Sequence, residues 1–488
     1  HFGEGIVNLF DQYGSYGLSN TITNPTNVLT PDTSPRFTGL HNIPNLTGTP
    51  EQVISYPALS PTDPLTTGFA ITHGLDSQMK TPYSHVVNVS WQRELPGGFV
   101  LEAAYLGRFA RHTLQQIDLA QPLDLVDPKT GQDYFSAAAQ LSKLGYAGTN
   151  TVPAIPFFED MFPDAATGGL NATQNIYDSI WHYNLGNETG ALYALDILCY
   201  PGCGGKTGRF WSPQFASLYT WASIGESNYN GAQLVLRHPM RHGLQIDFSY
   251  TYSKSMDMGS DDERTVYSSS TGSSVGSSFS AILNAWNPAL NYAPSDFDTR
   301  HLITASWVME LPFGKGRFLG THVGSGLDGI IGGWQLSGVG RWTSGLPFSV
   351  ISGSGWGTNW LEKSDMVQTG TIQAGTNIGQ NGAPEVFASP ADALANLRNP
   401  FPGEAGQRNN FRGDGYFGID ARLAKTWKLG ERSGLQFAWD VFNVTNSVRF
   451  DVNPLNSLQN LTSSGSFGVY GATLTTPRVQ QLSLRLSF

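Results

Sequence analysis

The sequence is expected to give an all-β fold, an antiparallel transmembrane β-barrel of about ten strands with long, partly helical extracellular loops. Three observations predict it. The 488 residues are 40% apolar and 12% aromatic but only 14% charged, where a soluble domain carries about a quarter charged residues. No window of about 18 uninterrupted apolar residues exists, so a transmembrane helix is excluded. Apolar and polar residues instead alternate with period 2 in segment after segment, joined by short and long connections in turn, which is the habit of outer-membrane barrels.

Taken in chain order, strands are expected near 2–12, 83–95, 99–110, 228–239, 243–255, 298–311, 333–350, 415–428, 433–446 and 477–488. In "YSHVVNVSWQREL" Val87, Val89 and Trp91 oppose Asn88, Ser90 and Gln92; in "FVLEAAYLG" Phe99, Leu101, Ala103 and Tyr105 oppose Glu102. "GLQIDFSYTYSKS" sets Leu244, Ile246, Phe248, Tyr250 and Tyr252 against Gln245, Asp247, Ser249, Thr251 and Ser253. "LITASWVMEL" and "GLQFAWDVF" repeat the pattern with Ile303, Trp307, Leu435, Phe437 and Trp439 on the apolar face. In "VQQLSLRLSF" Leu482, Leu484, Leu486 and Phe488 form a last stripe, with Ser483, Arg485 and Ser487 behind it. One face of each strand is expected against lipid and the other against a wet lumen, so that Glu102, Gln245, Asp247, Asp440 and Arg485 point inward. Tyr83, Trp91, Tyr250, Tyr252, Trp427 and Trp439 are candidates for interfacial girdles.

"LPGG" (95–98), "HPMRHG" (238–243) and "KLGERSG" (428–434) read as tight hairpins. Between them lie long stretches at 111–214, 254–296, 352–414 and 447–475, expected as extracellular loops of a single barrel unit spanning 1–488. The connection at 312–332 is the one long turn on the short side. The 111–214 loop contains "QDYFSAAAQLSKLG" (132–145) and "GALYALDILCY" (190–200), with helical composition, so a small folded lid is expected there. Its aromatics Phe157, Phe158, Trp181 and Tyr183 are expected to be exposed for ligand contact, with packing of the lid on itself as the alternative reading. Cys199 and Cys203, in "LCYPGCG", are the two cysteines of the chain. They read as a loop disulfide, with free thiols as the alternative; two sulfurs without a nearby His make a poor zinc site.

A net charge of −10 with scattered Lys and Arg excludes a nucleic-acid partner. Clustered groups give no chemistry of their own. His238 and His242 sit at a strand–turn junction containing Pro, which suits a turn better than a metal. Asp257, Asp261, Asp262 and Glu263 lack the order of a calcium loop and read as a solvated acidic loop. Asp296, Asp298, Arg300 and His301 have no nucleophile in reach and read as an ion pair lining the lumen or a loop base. No enzyme motif appears, so neither enzyme activity, metal nor cofactor is expected.

Several quoted stretches resemble Oar-like TonB-dependent outer-membrane receptors. "NYNGAQLVLRHPMRHGLQIDFSYTYSKSMD" is similar to that family's hairpin ending in Tyr-Thr-x-Ser-Lys-Ser/Ala, and "PSDFDTRHLITASWVMELPFGKG" to its Asp-x-Arg-His segment. "VNVSWQRELPGGFVLEAAYLGRFARH", "GGWQLSGVGRWTSGLPFSV", "RNNFRGDGYFGIDARLAKTW" and "LQFAWDVFNVTNSVRF" follow in the family's order. The resemblance implies a bacterial outer-membrane barrel of about 22 or more strands around an N-terminal plug coupled to TonB. It also implies capture and import of a ligand. No plug or TonB box is seen here, and "HFGEGIVNLFDQYGS" looks like a mid-barrel segment, so the chain is expected to be the C-terminal portion. Its partners would then be outer-membrane lipid, the barrel assembly machinery reading the terminal Phe488 stripe, a plug and further strands from the same precursor, and TonB through that plug. A structural or adhesive surface protein, using the barrel as an anchor for its loops, is the alternative.

Overall fold

A computed structural model describes residues 70–76, 78–196, 209–211, 215–260, 282–351, 364–379, 381–430, 433–452 and 467–488. Among these, nine strands form one antiparallel meander: β1 (Tyr83–Leu95), β2 (Phe99–Asp118), β3 (Phe215–Arg241), β4 (Leu244–Asp257), β5 (His301–Glu310), β6 (Trp334–Thr343), β7 (Phe417–Lys428), β8 (Gly434–Phe442) and β9 (Val479–Ser487). Each pairs with its neighbours in sequence, as an up-and-down barrel requires. The meander does not close among the described residues, and β1 and β9 are its ends; Ala70–Leu75 adds to the sheet by pairing in parallel with Phe215–Trp221 of β3, and Ala293–Pro294 by pairing with the end of β4. The expected strand at 2–12 lies outside the described residues.

The described residues fall into two compact units, one of Gln116–Ala222 with 70–79, and the remainder, which carries the ladder. In the ladder the register carries each side-chain face from strand to strand. Asp247 lies opposite Arg237 and Ser306, and Phe248 opposite Leu236 and Ala305. Asp440 lies opposite Arg422 and Gln481, and Phe437 opposite Lys425 and Leu484. Both faces of the ladder are open, the apolar one included: Val89 is 63% and Leu482 68% accessible. In water that arrangement is inside out; in hydrocarbon it is the stable one.

The turns follow their residues. Gly97 and Gly98 both take positive φ in the β1–β2 turn. His242 and Gly243 do the same between β3 and β4, the geometry that matches strand twist in a two-residue hairpin. The connection 311–333 does not break the order; it carries a short helix, Ser325–Ile331. Four expected boundaries move. β2 runs on into 111–118, "RHTLQQID", too polar for a hydropathy reading, and β3 begins at 215, in "FASLYTWASIGES", whose apolar residues keep no strict alternation. β6 stops at Thr343 rather than 350, because the backbone at Gly345 passes against Gly413 and leaves no room for a Cβ. β8 stops at Phe442, where Asn443 turns to positive φ and its amide side chain donates to Ser447 O and Thr476 O.

The Gln116–Ala222 unit is helical, with helices Tyr134–Tyr146, Pro156–Met161, Ala172–Ser179 and Glu188–Asp196. Asp133 and Asn171 cap two of them, accepting from Ser136 N at 2.6 Å and Gln174 N at 2.8 Å. The core holds Tyr134, Phe157, Phe158, Ile176, Trp181, Leu192, Phe210 and Trp211. Phe157 meets Phe158 edge-on at 5.6 Å, and Phe158 meets Trp181 at 5.7 Å. This corrects the expectation of exposure: Phe157, Phe158 and Trp181 are fully buried. A loop of this length must pair the backbone polar groups it buries, which helices do here, and the aromatics are what those helices pack on.

A second apolar core forms among the connections of the ladder unit. Phe348, Val386, Phe387, Phe411, Val452, Phe467 and Tyr470 pack together, drawn from 344–416 and 443–478. These connections are therefore built structures with paired segments such as Pro347–Phe348 against Phe411–Arg412.

Candidate functional site

The inward polar face of the ladder brings alternating charges together. Arg237 on β3 lies 3.6 Å from Glu102 on β2 and 3.5 Å from Asp247 on β4. Further round the same face, Arg422 on β7 lies 3.6 Å from Asp440 on β8. All keep part of their surface in solvent, so they hold charge without the heavy desolvation cost of a buried pair. A concavity of about 540 Å³ opens on this face, lined by Arg237, Asp247, Ser249, Thr304, Arg341 and Asp420. A second, of about 330 Å³, is lined by Gln245, Ser337, Asp420, Arg422 and Asp440. Both signs of charge and several hydroxyls share these walls with Val235, Phe248 and Val339 in the first and with Trp307, Val308 and Phe442 in the second, which suits a solute that is charged or hydrogen-bonding over part of its surface.

The sequence-singled residues distribute as follows. Asp247 and Asp440 line the two concavities. Arg485 pairs in register with Gln436 on the inward face but lines neither. Tyr183 is 78% exposed on the helical unit, beside the His182 ring at 5.5 Å. Leu482, Leu484 and Leu486 lie on the exposed apolar face of β9, and Phe488 is almost wholly exposed. Cys199 and Cys203 lie outside the described residues, as do Asp261, Asp262 and Glu263.

Asp257 departs from the solvated-loop reading. It is buried, and its Oδ1 meets Arg408 Nη2 at 2.6 Å. Arg408 also reaches Asp296 at 3.3 Å, and Asn409 Nδ2 donates to Asp296 at 2.5 Å. Asp298 accepts from Ser255 N at 2.6 Å, meets Arg300 at 2.9 Å and pairs with Arg412. Asp296, Asp298 and Arg300 thus form a loop base, one of the two roles expected of them. His301 sits apart from these salt bridges, its Nδ1 2.9 Å from Tyr250 Oη. Behind Arg408 lies buried Asp365, whose carboxyl burial pushes up to about 7, against the pull of Arg408 and of the Ser349 hydroxyl. Arg408, Asn409, Arg412 and Asp365 were not anticipated; the signal was two separate runs of opposite charge, "SDFDTR" and "RNNFR".

His238 spans the two neighbouring turns, with Nε2 3.1 Å from Gly97 O and Nδ1 2.9 Å from Leu244 O. The aromatics divide between the strand ends. Tyr250, Tyr252 and Trp342 gather around His301 where the long connections begin. Trp334 meets Trp427 and Phe437 at the short-turn end. Trp334 and Trp342 share β6, about 26 Å apart along the strand at about 3.3 Å per residue, close to the apolar band of about 25 Å in such barrels.

A family model described as outer membrane beta barrel domain matches residues 3–481. No curated protein matches the chain. Similar solved structures include the outer membrane transporter YddB from Escherichia coli, 11% identical with a TM-score of 0.35, over 86% of this chain and 34% of that one. The ferric-catecholate import receptor Fiu from E. coli K12 is 9% identical with a TM-score of 0.30, over 87% and 31%. The ferripyoverdine receptor of the outer membrane of Pseudomonas aeruginosa is 10% identical with a TM-score of 0.29, over 83% and 27%. The chain therefore spans about a third or less of the length of these three proteins.

Proposed function

The chain belongs to the outer membrane beta barrel domain family and resides in the bacterial outer membrane, and from that premise we propose that it is the C-terminal portion of an Oar-like TonB-dependent receptor that captures and imports a polar ligand. One observation carries the reading: the charged inward row Glu102–Arg237–Asp247 beside a 540 Å³ concavity. A wet lumen alone accounts for inward polar groups; what supports recognition is that charges of both signs gather beside one concavity, where a solute can meet them together. The motif order in the sequence supports the subfamily.

In this reading the ligand is contacted by Asp247, Asp440 and Arg485 from the lumen and by Tyr183 from the helical unit of the 111–214 extracellular loop. A plug and further strands from the same precursor complete the barrel, TonB acts through that plug, and no enzymatic step is involved. Cys199 and Cys203 staple the loop. The stripe Leu482, Leu484, Leu486 and Phe488 is what the barrel assembly machinery reads.

The test compares what the detergent-purified protein retains from spent culture medium, read by mass spectrometry, with what an Arg237→Ala, Asp420→Asn variant retains. A species kept by the first and lost by the second is the expected result. Equal retention by both overturns the site. No retained species overturns capture and favours the anchor role.

A further inference from the structure

The connection between β5 and β6 is long where its three counterparts are tight. Phe313 bridges Leu319, and the helix Ser325–Ile331 follows. This segment leans on the outward face of the ladder. Lys425 points outward on β7, opposite Phe437 and Trp334, yet it is only 5% exposed. Its Nζ donates to Gly329 O at 2.6 Å and lies 3.4 Å from Asp328 O. Trp427 Nε1 donates to the same Gly329 O at 2.7 Å, and Trp334 Nε1 to Ile330 O at 2.8 Å. The ammonium also lies 5.7 Å and 5.3 Å from the Trp334 and Trp427 rings. One cation and two indoles thus cap the carbonyl end of the helix, the negative end of its dipole.

The rest of the segment is open. Phe318 is 88%, Ile330 67% and Leu327 51% exposed. We propose that the 311–333 connection is a membrane-interface anchor, lying in the headgroup–acyl boundary at the short-turn rim with Phe318, Leu327 and Ile330 among the acyl chains. Continuity names lipid as the occupant: the helix is seated on the lipid-facing side of β6 and β7, over the Trp pair that barrels place at the interface. Exposed Lys315 in the same connection supplies positive charge for phosphate headgroups, while Arg317 is paired with Glu310 at 2.7 Å. The arrangement also explains Lys425. A lysine on a lipid-facing strand is costly when bare, and here the helix roofs it and supplies its acceptors.

The test reconstitutes the full chain in phosphatidylethanolamine–phosphatidylglycerol vesicles, part of the lipid carrying a photoactivatable diazirine near the headgroup end of one acyl chain. A water-soluble diazirine is used in parallel, and adducts are mapped by mass spectrometry. Lipid adducts on Phe318, Leu327 and Ile330 are expected. If Leu336 and Leu423 take lipid adducts while the three residues take only aqueous ones, the anchor is overturned with the barrel reading intact. If neither probe reaches them, protein covers the segment and the proposal also fails. Lys425→Met keeps the apolar stem and removes the capping charge; it is expected to lower lipid labelling of 318–330 several-fold. Unchanged labelling would overturn the capping role.

Discussion

The helical unit and the strand ladder handle the same kinds of side chain in opposite ways. In the helical unit Phe157, Phe158 and Trp181 have no accessible surface, while in the ladder Leu484 is 67% and Trp91 52% exposed. The difference lies in the solvent each surface meets. Water drives the first set inward at about 1.5–3 kcal/mol for each large side chain buried. Hydrocarbon removes that drive and demands only that backbone groups pair internally, which the ladder does between its two edge strands. Burial alone therefore identifies no core in this chain until the surroundings of each unit are known.

The largest effect that could break this comparison lies in the helical core. Trp181→Ala is expected to destabilise that unit by about 3–5 kcal/mol, read as a lower urea midpoint for proteolytic release of fragments from 134–196. A loss below about 1 kcal/mol would mean the aromatics are not its core. Next comes Phe248→Arg, which should cost about 2–4 kcal/mol if it faces lipid near the midplane. Asp247→Arg, one residue along, should cost under about 1 kcal/mol, since that side chain is half in solvent. Equal folding yields for the two in lipid would abolish the assignment of faces.

Glu188 sharpens the contrast through pH. Its carboxyl is buried in the helical unit, and burial pushes it up to about 7 from an ordinary 4.5. Trp181 Nε1 donates to Ser142 Oγ, which donates to Glu188 Oε1 at 3.0 Å. Between those two pH values the folded unit holds a proton that the unfolded chain has released. Its stability therefore falls as pH rises from about 4.5 to about 7, and is flat beyond. Glu188→Gln should match the parent at pH 4 and exceed it at pH 8, by at most about 3 kcal/mol. Urea titrations at the two pH values decide it; an equal difference at both would refute the buried acid. The smallest effect is expected from Arg422→Ala, whose partner Asp440 sits at 3.6 Å on a wet face. It should cost under about 1 kcal/mol in thermal unfolding.

Much of the ladder was legible because period 2 is local. β1 falls where its alternation does, at Tyr83–Leu95, and the His242-Gly243 turn is marked by its own residues. The end of β2 is not legible because it is polar, and the start of β3 because its apolar residues do not alternate; neither stretch shows the period of a strand by itself. Phe157 and Phe158 could be seen to matter, but an apolar run does not say which solvent it avoids. Asp257 was misread for a related reason: its partner Arg408 is 151 residues away, and nothing near it in sequence announces the ion pair. The inward placement of Asp247 and Asp440 was readable from parity alone. Their gathering around common concavities needed the register.

The ion pairs at the loop bases have a further consequence. Arg408 joins Asp257, and Arg412 joins Asp298 across 114 positions, so the connections that follow β4 and β6 are cross-linked close to the sheet. Lengthening a tethered segment is cheap, about 0.6 kcal/mol for each doubling. Residues beyond the cross-links can thus be added, lost or exchanged without disturbing the strands beneath. The clamp divides each connection into a fixed mount and a replaceable tip, and in doing so sets where the barrel can acquire new specificity and where it cannot.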